Sequence, residues 1–150
     1  MNDPGSPRPI IPFLGGLYAA LGELAYPLVR VVAGAWLVPH GYDKMFGGDL
    51  PMLIEGLAKM GLQPAGPLAY LVAATEFFGG ILIAIGLLTR PAAAAATILL
   101  AVAIVTVHLP NGFSSPEGYA YPLMWMLLCV AVLLRGGGRF SLDRAIGVEF

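Results

Sequence analysis

The chain has 150 residues, of which 58% are hydrophobic and only 11% are charged, and its formal net charge is −1. Soluble domains carry about 25% charged residues, so this chain has too few charges to cover a surface that faces water. The composition therefore predicts an integral membrane protein whose first partner is the lipid bilayer. The lack of a positive surface excludes a nucleic-acid partner.

The N-terminal stretch, residues 1–22, is interrupted by four prolines within its first twelve residues. It lacks the basic region followed by an apolar core that marks a cleavable signal peptide. We therefore expect a flexible tail that leads into a short interfacial segment, with the membrane domain starting near residue 23.

Four apolar segments follow the tail. Crossing a hydrocarbon core of about 30 Å takes roughly 20 apolar residues in a helix. The four segments that approach this length lie at about 26–42, 67–88, 91–109 and 119–134. Prolines lie at or near several of their starts, where a missing N–H group costs little.

The fold class predicted from these segments is all-α, a transmembrane bundle of four helices over residues 23–135. The many glycines and alanines in the segments suit close packing of helices in lipid. A short amphipathic helix is expected around residues 50–60, between the first two spans. Residues 136–150 are predicted to form a cytoplasmic C-terminal tail.

Arginines dominate one side of the predicted bundle. Four spans place both termini on the same side, which carries Arg8, Arg90, Arg135, Arg139 and Arg144. The opposite side carries only Lys44 and Lys59. The positive-inside bias therefore predicts a multi-pass protein of a prokaryotic inner membrane, with both termini in the cytoplasm.

Ionisable residues from three spans reach a similar depth. With a rise of 1.5 Å per residue, His40, Glu76 and His108 lie about 20–25 Å from the arginine-rich side. Lys44 reaches a similar height if its helix continues. An acid at helix centre costs roughly 2.5–3.5 kcal/mol, so Glu76 is expected to face the bundle interior beside a partner. The pattern indicates either a polar site in the outer leaflet or paired residues that lock the helices together.

Four further residues are candidates for ligand binding. Arg30 lies one turn into the first span and is expected to snorkel to the headgroups, with binding of an anionic headgroup or a partner as the second interpretation. Trp36 and Phe77 are candidate walls of a flat apolar pocket, and Glu117 is a candidate for its mouth.

The sequence contains no motif for a flavin, a haem or an iron–sulfur cluster, and no short-spaced motif of metal ligands. Its single cysteine, Cys129, cannot form an internal disulfide and is expected to be a small buried residue. The sequence therefore leaves the cofactor unidentified.

Three stretches carry a resemblance to a known family. The stretch "LVRVVAGAWLVPHGYDKMFGG" resembles the first-helix signature of the DoxX family. The stretch "ATEFFGGILIAIGLLTRPAAAA" resembles its second and third helices, and "HLPNGF" with "EGYAYPLMW" resembles the connection to its fourth. The resemblance covers roughly residues 24–135, in the order that the family shows.

The resemblance implies four membrane helices and a shared set of polar positions: Arg30, His40, Lys44, Glu76, Arg90 and His108. The family includes the membrane subunit of a thiosulfate:quinone oxidoreductase and proteins of thiol redox systems. The first functional hypothesis is therefore quinone-linked redox chemistry, with a quinone as the candidate cofactor. In this hypothesis the catalytic residues His40, Lys44, Glu76 and His108 supply donors for the quinone oxygens and a route for protons.

Two other functions stay open. The first is a non-catalytic anchor or assembly subunit of a redox complex, with a redox enzyme as the partner. The second is a small transporter or proton pathway, although the second span offers no polar relay below Glu76. A homo-oligomer is compatible with each of the three functions.

Overall fold

The computed structural model describes residues 10–11 and 13–148, and the regular structure in these residues is entirely helical. The helices in chain order are α1 (Leu14–Ala35), α2 (Leu37–Met45), α3 (Leu50–Lys59), α4 (Ala65–Ala74), α5 (Gly80–Ile85), α6 (Thr89–Ala103), α7 (Ala120–Arg135) and α8 (Leu142–Ala145). A π-helical turn, π1 (Thr75–Gly79), joins α4 to α5. A second, π2 (Ile104–His108), joins α6 to a 3-10 turn at Leu109–Asn111.

Three apolar helical stretches are long enough to cross a bilayer: Leu14–Met45 with 32 residues, Ala65–Ile85 with 21 and Thr89–Asn111 with 23. The fourth apolar helix, α7, has 16 residues and is therefore about 24 Å long. The predicted all-α membrane bundle is confirmed.

The first helix begins earlier than the sequence predicts. It starts at Leu14, so that part of the predicted tail is helical, and Pro27 lies inside α1 instead of at its start. Pro27 removes a single hydrogen bond, and the helix continues on both sides of it. The helix is interrupted at Trp36, between α1 and α2. Pro39 has no N–H group, so the carbonyl of Ala35 lacks its usual helical hydrogen bond. The rest of the predicted tail, residues 1–9 and 12, lies outside the described residues.

Glycines allow the first helix to cross the second span at very short range. A Cβ atom added to Gly34 would lie 2.4 Å from the carbonyl oxygen of Gly80. One added to Gly41 would lie 2.2 Å from the backbone nitrogen of Phe77. A larger residue at either position would push the helices apart. The crossing holds α2 directly against π1.

The middle of the bundle is apolar. Its buried core includes Ala33, Leu37, Ile83, Ala93, Ala96, Leu100, Trp125, Cys129 and Val132. Cys129 is a fully buried free thiol, in agreement with the packing role expected of it. The indole Nε1 of Trp125 donates to the carbonyl of Ala33 at 3.1 Å. A separate small cluster packs α3 onto α4 through Leu57.

The C-terminal segment folds back onto the bundle. The Asp143 side chain accepts hydrogen bonds from the backbone nitrogens of Leu88 at 2.8 Å and Thr89 at 3.0 Å. It also accepts one from Thr89 Oγ1 at 2.6 Å. Since α6 begins at Thr89, Asp143 satisfies N–H groups that have no partner within that helix. Residues 136–148 are therefore part of the bundle and not a separate tail.

Arg30 is buried and does not snorkel, so that expectation is wrong. Its side chain is 2% exposed and donates to the carbonyls of Ile83, Ala84 and Phe140 at 2.9, 3.0 and 2.6 Å. The first two carbonyls belong to the last turn of α5, where helix carbonyls lack partners. Arg30 therefore joins α1, the end of α5 and the C-terminal segment.

The Asp143 cap has a defined dependence on pH. Burial alone would raise the pKa of Asp143, but the hydrogen bonds from Thr89 and Leu88 and the charge of Arg30 outweigh it, so the pKa lies below its ordinary value of 3.8. A lowered carboxyl pKa means that the stabilisation is complete above 3.8 and is lost as the pH falls through the folded-state value.

We expect Asp143→Asn to lower the free energy of unfolding by about 1–3 kcal/mol at pH 7, because the amide cannot accept all three bonds. Thermal unfolding in detergent measures the loss. The difference from the wild type should stay constant down to pH 5 and shrink below 3.8. Asp49→Asn is the control, since Asp49 makes no side-chain capping bond. A loss equal to that of the control would contradict the capping role.

Candidate functional site

Two of the four predicted catalytic residues form an ion pair. Lys44 Nζ, in the last turn of α2, lies 2.6 Å from Glu76 Oε2 on π1. The side chains of Lys44 and Glu76 are 22% and 11% exposed, so the pair is largely removed from solvent. Lys44 Nζ also donates to the carbonyl of His40 at 3.3 Å.

The local backbone explains why these two side chains meet. Glu76 lies on a π-helical turn, a widened turn that is frequent at functional sites. Gly41 lies against the backbone of Glu76 and Phe77 because it has no side chain. Lys44 follows Gly41 by about one helical turn and therefore reaches the same place. The close crossing of the helices thus positions the ion pair.

His40 lies on α2, one turn before Lys44. It is exposed, and its ring makes no hydrogen bond to any described residue. Its contribution to the pair comes through its backbone carbonyl. The imidazole ring thus lies at the edge of the Lys44–Glu76 pair and is exposed at the surface of the protein.

His108 and Glu117 contact each other and not the ion pair. His108 ends π2, and its Nδ1 lies 2.8 Å from the backbone carbonyl oxygen of Glu117. Asn111 Nδ2 donates to the same carbonyl at 3.4 Å. The Glu117 side chain is exposed. These contacts hold the loop between π2 and α7 in place. His108 and Glu117 therefore stabilise this loop and do not contact the ion pair.

Aromatic rings lie beside the ion pair. Tyr42, Phe46, Phe77 and Phe78 form an aromatic cluster whose neighbouring ring centroids are 5.0 to 6.3 Å apart. Phe77, predicted as a wall, belongs to this cluster. Tyr42 and Phe46 were not predicted as site residues, although their spacing of four residues places them on one helix face.

Trp36 belongs to a different aromatic stack. Its ring is 5.6 Å from that of Trp125, which in turn lies 5.8 Å from Tyr121. Trp36 is 52% exposed, so part of its face is turned outward from the bundle. The predicted binding role of Trp36 is therefore separate from the aromatic cluster beside Glu76.

Polar burial at the opposite end of the bundle was largely missed from the sequence. Thr89, Ser141 and Asp143 are buried there with Arg30. The signal available was Ser141 followed by Arg144, a helix N-cap spacing, and Ser141 Oγ indeed accepts from the Arg144 nitrogen at 3.2 Å. The hydrogen bonds that Arg30 and Asp143 make all go to backbone groups or to Thr89, which indicates a structural role. The Nε atom of Arg30 is buried without a partner among the described residues.

No metal centre emerges in the part of the chain that the structure describes. Within residues 10–11 and 13–148, no three His, Cys, Asp or Glu side chains gather in a way that could hold a metal ion. The polar groups of the candidate site are an ammonium, a carboxylate and an imidazole. Such groups can bind and orient an organic ligand with carbonyl oxygens.

These features define a small helical membrane protein with a buried ion pair between its first two spans. The sequence model of the family described as DoxX matches residues 25–109, more than half of the chain. The protein belongs to the DoxX family. The predicted family resemblance is therefore confirmed.

Two curated relatives match the chain. A Bacillus subtilis (strain 168) protein named "Putative oxidoreductase CatD" is 31% identical over 121 residues, which cover 81% of this chain and 86% of the relative. A Haemophilus influenzae protein named "Uncharacterized protein" is 33% identical over 73 residues, 48% of each chain. No solved structure matches.

The stability contribution of the buried Lys44–Glu76 pair can be compared with that of the exposed Glu55–Lys59 pair. We expect Glu76→Gln to cost about 3 kcal/mol, the lower end for removing one partner of a buried pair, because Lys44 is still 22% exposed. Glu55→Gln, which breaks the exposed Glu55–Lys59 pair, should cost less than about 1 kcal/mol. Unfolding in detergent measures both losses.

The double variant Lys44→Gln with Glu76→Gln should recover part of the loss, because it leaves no unpaired charge. Equal losses for Glu76→Gln and Glu55→Gln, or strict additivity in the double variant, would show that Lys44 and Glu76 are not coupled.

Proposed function

We propose that this DoxX protein is a redox-linked membrane protein that binds a quinone headgroup at the Lys44–Glu76 pair. The observation that carries the proposal is a largely buried ion pair inside the membrane domain, directly beside the aromatic cluster. Charged residues at membrane depth are costly and usually functional. The name of the Bacillus subtilis relative supports the oxidoreductase class.

The unused hydrogen-bonding capacity of the pair suits a quinone. A lysine ammonium has three donors, and Lys44 uses one on Glu76 and one on the His40 carbonyl. The third donor can bind a quinone carbonyl oxygen. Glu76 Oε1 accepts no bond from the described residues and can bind the hydroxyl of the reduced form. The flat ring packs against the rings of Phe77 and Phe46.

Proton supply follows from the same residues. Reduction of a quinone to a quinol takes up two electrons and two protons. Glu76 and the exposed His40 ring are the groups that exchange these protons, since a carboxylate and an imidazole can each accept and donate a proton. The electrons come from a partner enzyme or a soluble reductant, because the sequence contains no flavin, haem or iron–sulfur motif. His108 does not exchange protons with the quinone in this proposal. It stabilises the loop before α7 through its contact with the Glu117 carbonyl.

A binding experiment tests this function. The protein in detergent is titrated with a short-chain quinone by calorimetry. We expect saturable binding by the wild type and at least about tenfold weaker binding by Glu76→Gln or Lys44→Gln, which is the effect of one lost hydrogen bond to a charged group. Glu55→Gln should bind as the wild type does. Absence of saturable binding by the wild type, or equal binding by all variants, would refute the quinone site.

A second candidate function, anchoring or assembly of a redox complex, has one observation in its favour. The first part of α1 exposes an apolar face that includes Leu17, Leu21, Leu24 and Leu28. In this function the Lys44–Glu76 pair would only lock the helices. The quinone titration separates the two functions, because an assembly subunit needs no quinone. A transporter is disfavoured by the apolar core between the two ends of the bundle.

We also propose that both termini face the cytoplasm of a prokaryotic inner membrane. Arg139 is bonded to Glu23 at 2.6 Å, so the segment after α7 and the early part of α1 lie at the same end. This arginine end also contains Arg90, Arg135 and Arg144. Clusters of arginine favour the cytoplasmic side.

Reporter fusions test the orientation. Alkaline phosphatase, which is active only outside the cytoplasm, should be inactive when it is fused after the last residue. It should be active when it is fused after Gly61, between α3 and α4. A green fluorescent protein fused at the C-terminus is the complementary control and should fluoresce. An active C-terminal phosphatase fusion would reverse the proposed orientation.

A further inference from the structure

An open groove lies at the arginine end, far from the Lys44–Glu76 pair. Its volume is about 760 Å³, and its lining includes Glu23, Arg135, Arg139 and Arg144. Glu23 and Lys44 are 21 residues apart along the first helical stretch, which corresponds to about 30 Å. The groove is therefore independent of the quinone proposal.

The acids in the groove are already engaged. Asp143 directs its carboxylate to the start of α6, where it accepts three hydrogen bonds. Glu23 pairs with Arg139. Neither Asp143 nor Glu23 is thus available to the other two arginines of the lining, Arg135 and Arg144.

Arg135 and Arg144 have no acidic partner among the described residues. The guanidinium of Arg135 lies over the ring of Tyr26, 5.4 Å from its centroid, a contact that leaves the edge of the guanidinium open to an acceptor. The Arg144 backbone binds Ser141, while its side chain contacts no described acceptor. The groove thus presents two positive charges without a counter-ion from the described fold.

Apolar side chains are exposed on the segments that carry the arginines of the groove. Large hydrophobic residues that are exposed within two positions of an arginine are Leu134, Phe140, Leu142 and Ile146. Because α7 is a membrane helix that ends at Arg135, the groove lies where hydrocarbon gives way to headgroups. An anion from water needs no apolar rim, whereas a lipid has both a charged headgroup and apolar chains. Basic pockets beside membrane helices bind such headgroups.

We propose that this groove binds the phosphate-bearing headgroup of an anionic phospholipid. Arg135 and Arg144 bind the phosphate oxygens, since the planar guanidinium fits phosphate in a two-pronged geometry. The acyl chains lie along the exposed apolar residues around the end of α7. The bound lipid thereby supplies the negative charge that the described fold lacks at this position.

The test measures lipid binding by the full chain in detergent. Phosphatidylglycerol and phosphatidylcholine with identical acyl chains are titrated separately, and bound lipid is counted by native mass spectrometry. The wild type should prefer phosphatidylglycerol. Each of Arg135→Gln and Arg144→Gln should weaken binding of phosphatidylglycerol about fivefold, as expected for one basic residue near an anionic headgroup. Lys59→Gln removes the same charge from exposed α3 and should leave the preference unchanged.

Three results would overturn the proposal. The first is an equal affinity of the wild type for the two lipids. The second is a preference that survives both arginine substitutions. The third is inorganic phosphate that binds with the same dependence on the arginines and displaces the lipid, which would assign the groove to a free anion. If Arg135→Gln unfolds the protein through its contact with Tyr26, Arg144→Gln alone decides, because its side chain makes no contact that the fold needs.

Discussion

The structure depends on one close contact, the crossing of the first helix over the second span at Gly34 and Gly41. With no side chains at these points, the backbones meet at a distance that a methyl group would forbid. In lipid there is no hydrophobic driving force for helix association. Helices therefore associate largely through van der Waals contacts at small residues, where their backbones approach closely. The crossing determines which side chains of the first helix reach the second span. At one end it brings Lys44 to Glu76, and at the other it lets Arg30 reach the end of α5.

The bundle keeps its charges at two levels with an apolar layer between them. The core from Ala33 to Val132 contains aliphatic residues, one thiol and one tryptophan, whose N–H group is bonded to a backbone carbonyl. At one level, a lysine and a glutamate neutralise each other. At the other level, Arg30 and Asp143 are matched mainly to backbone groups. Both arrangements follow the rule that a polar group in the membrane finds its partner within the protein, except for Arg30 Nε, which is buried without a hydrogen bond to any described residue.

The sequence predicted the helical class, three of the four spans to within a few residues, and the depth shared by Lys44 and Glu76. Depth follows from counting residues along a helix, but counting gives no information on which way a side chain points around the helix. For this reason His108 shared the depth and yet binds the carbonyl of Glu117. The sequence also could not show the burial of Arg30 and Asp143, because their partners, mostly backbone groups, lie 53 to 110 residues away.

The cap that Asp143 places on α6 bears on how the chain is made. Leu88 adopts a left-handed conformation with φ of 47°, and its N–H group donates to Asp143, 55 residues further along the chain. While the protein is being synthesised, the turn between the second and third spans must therefore wait for its acceptor until residue 143 has left the ribosome. A segment that follows the fourth span thus fixes the turn between the second and third spans.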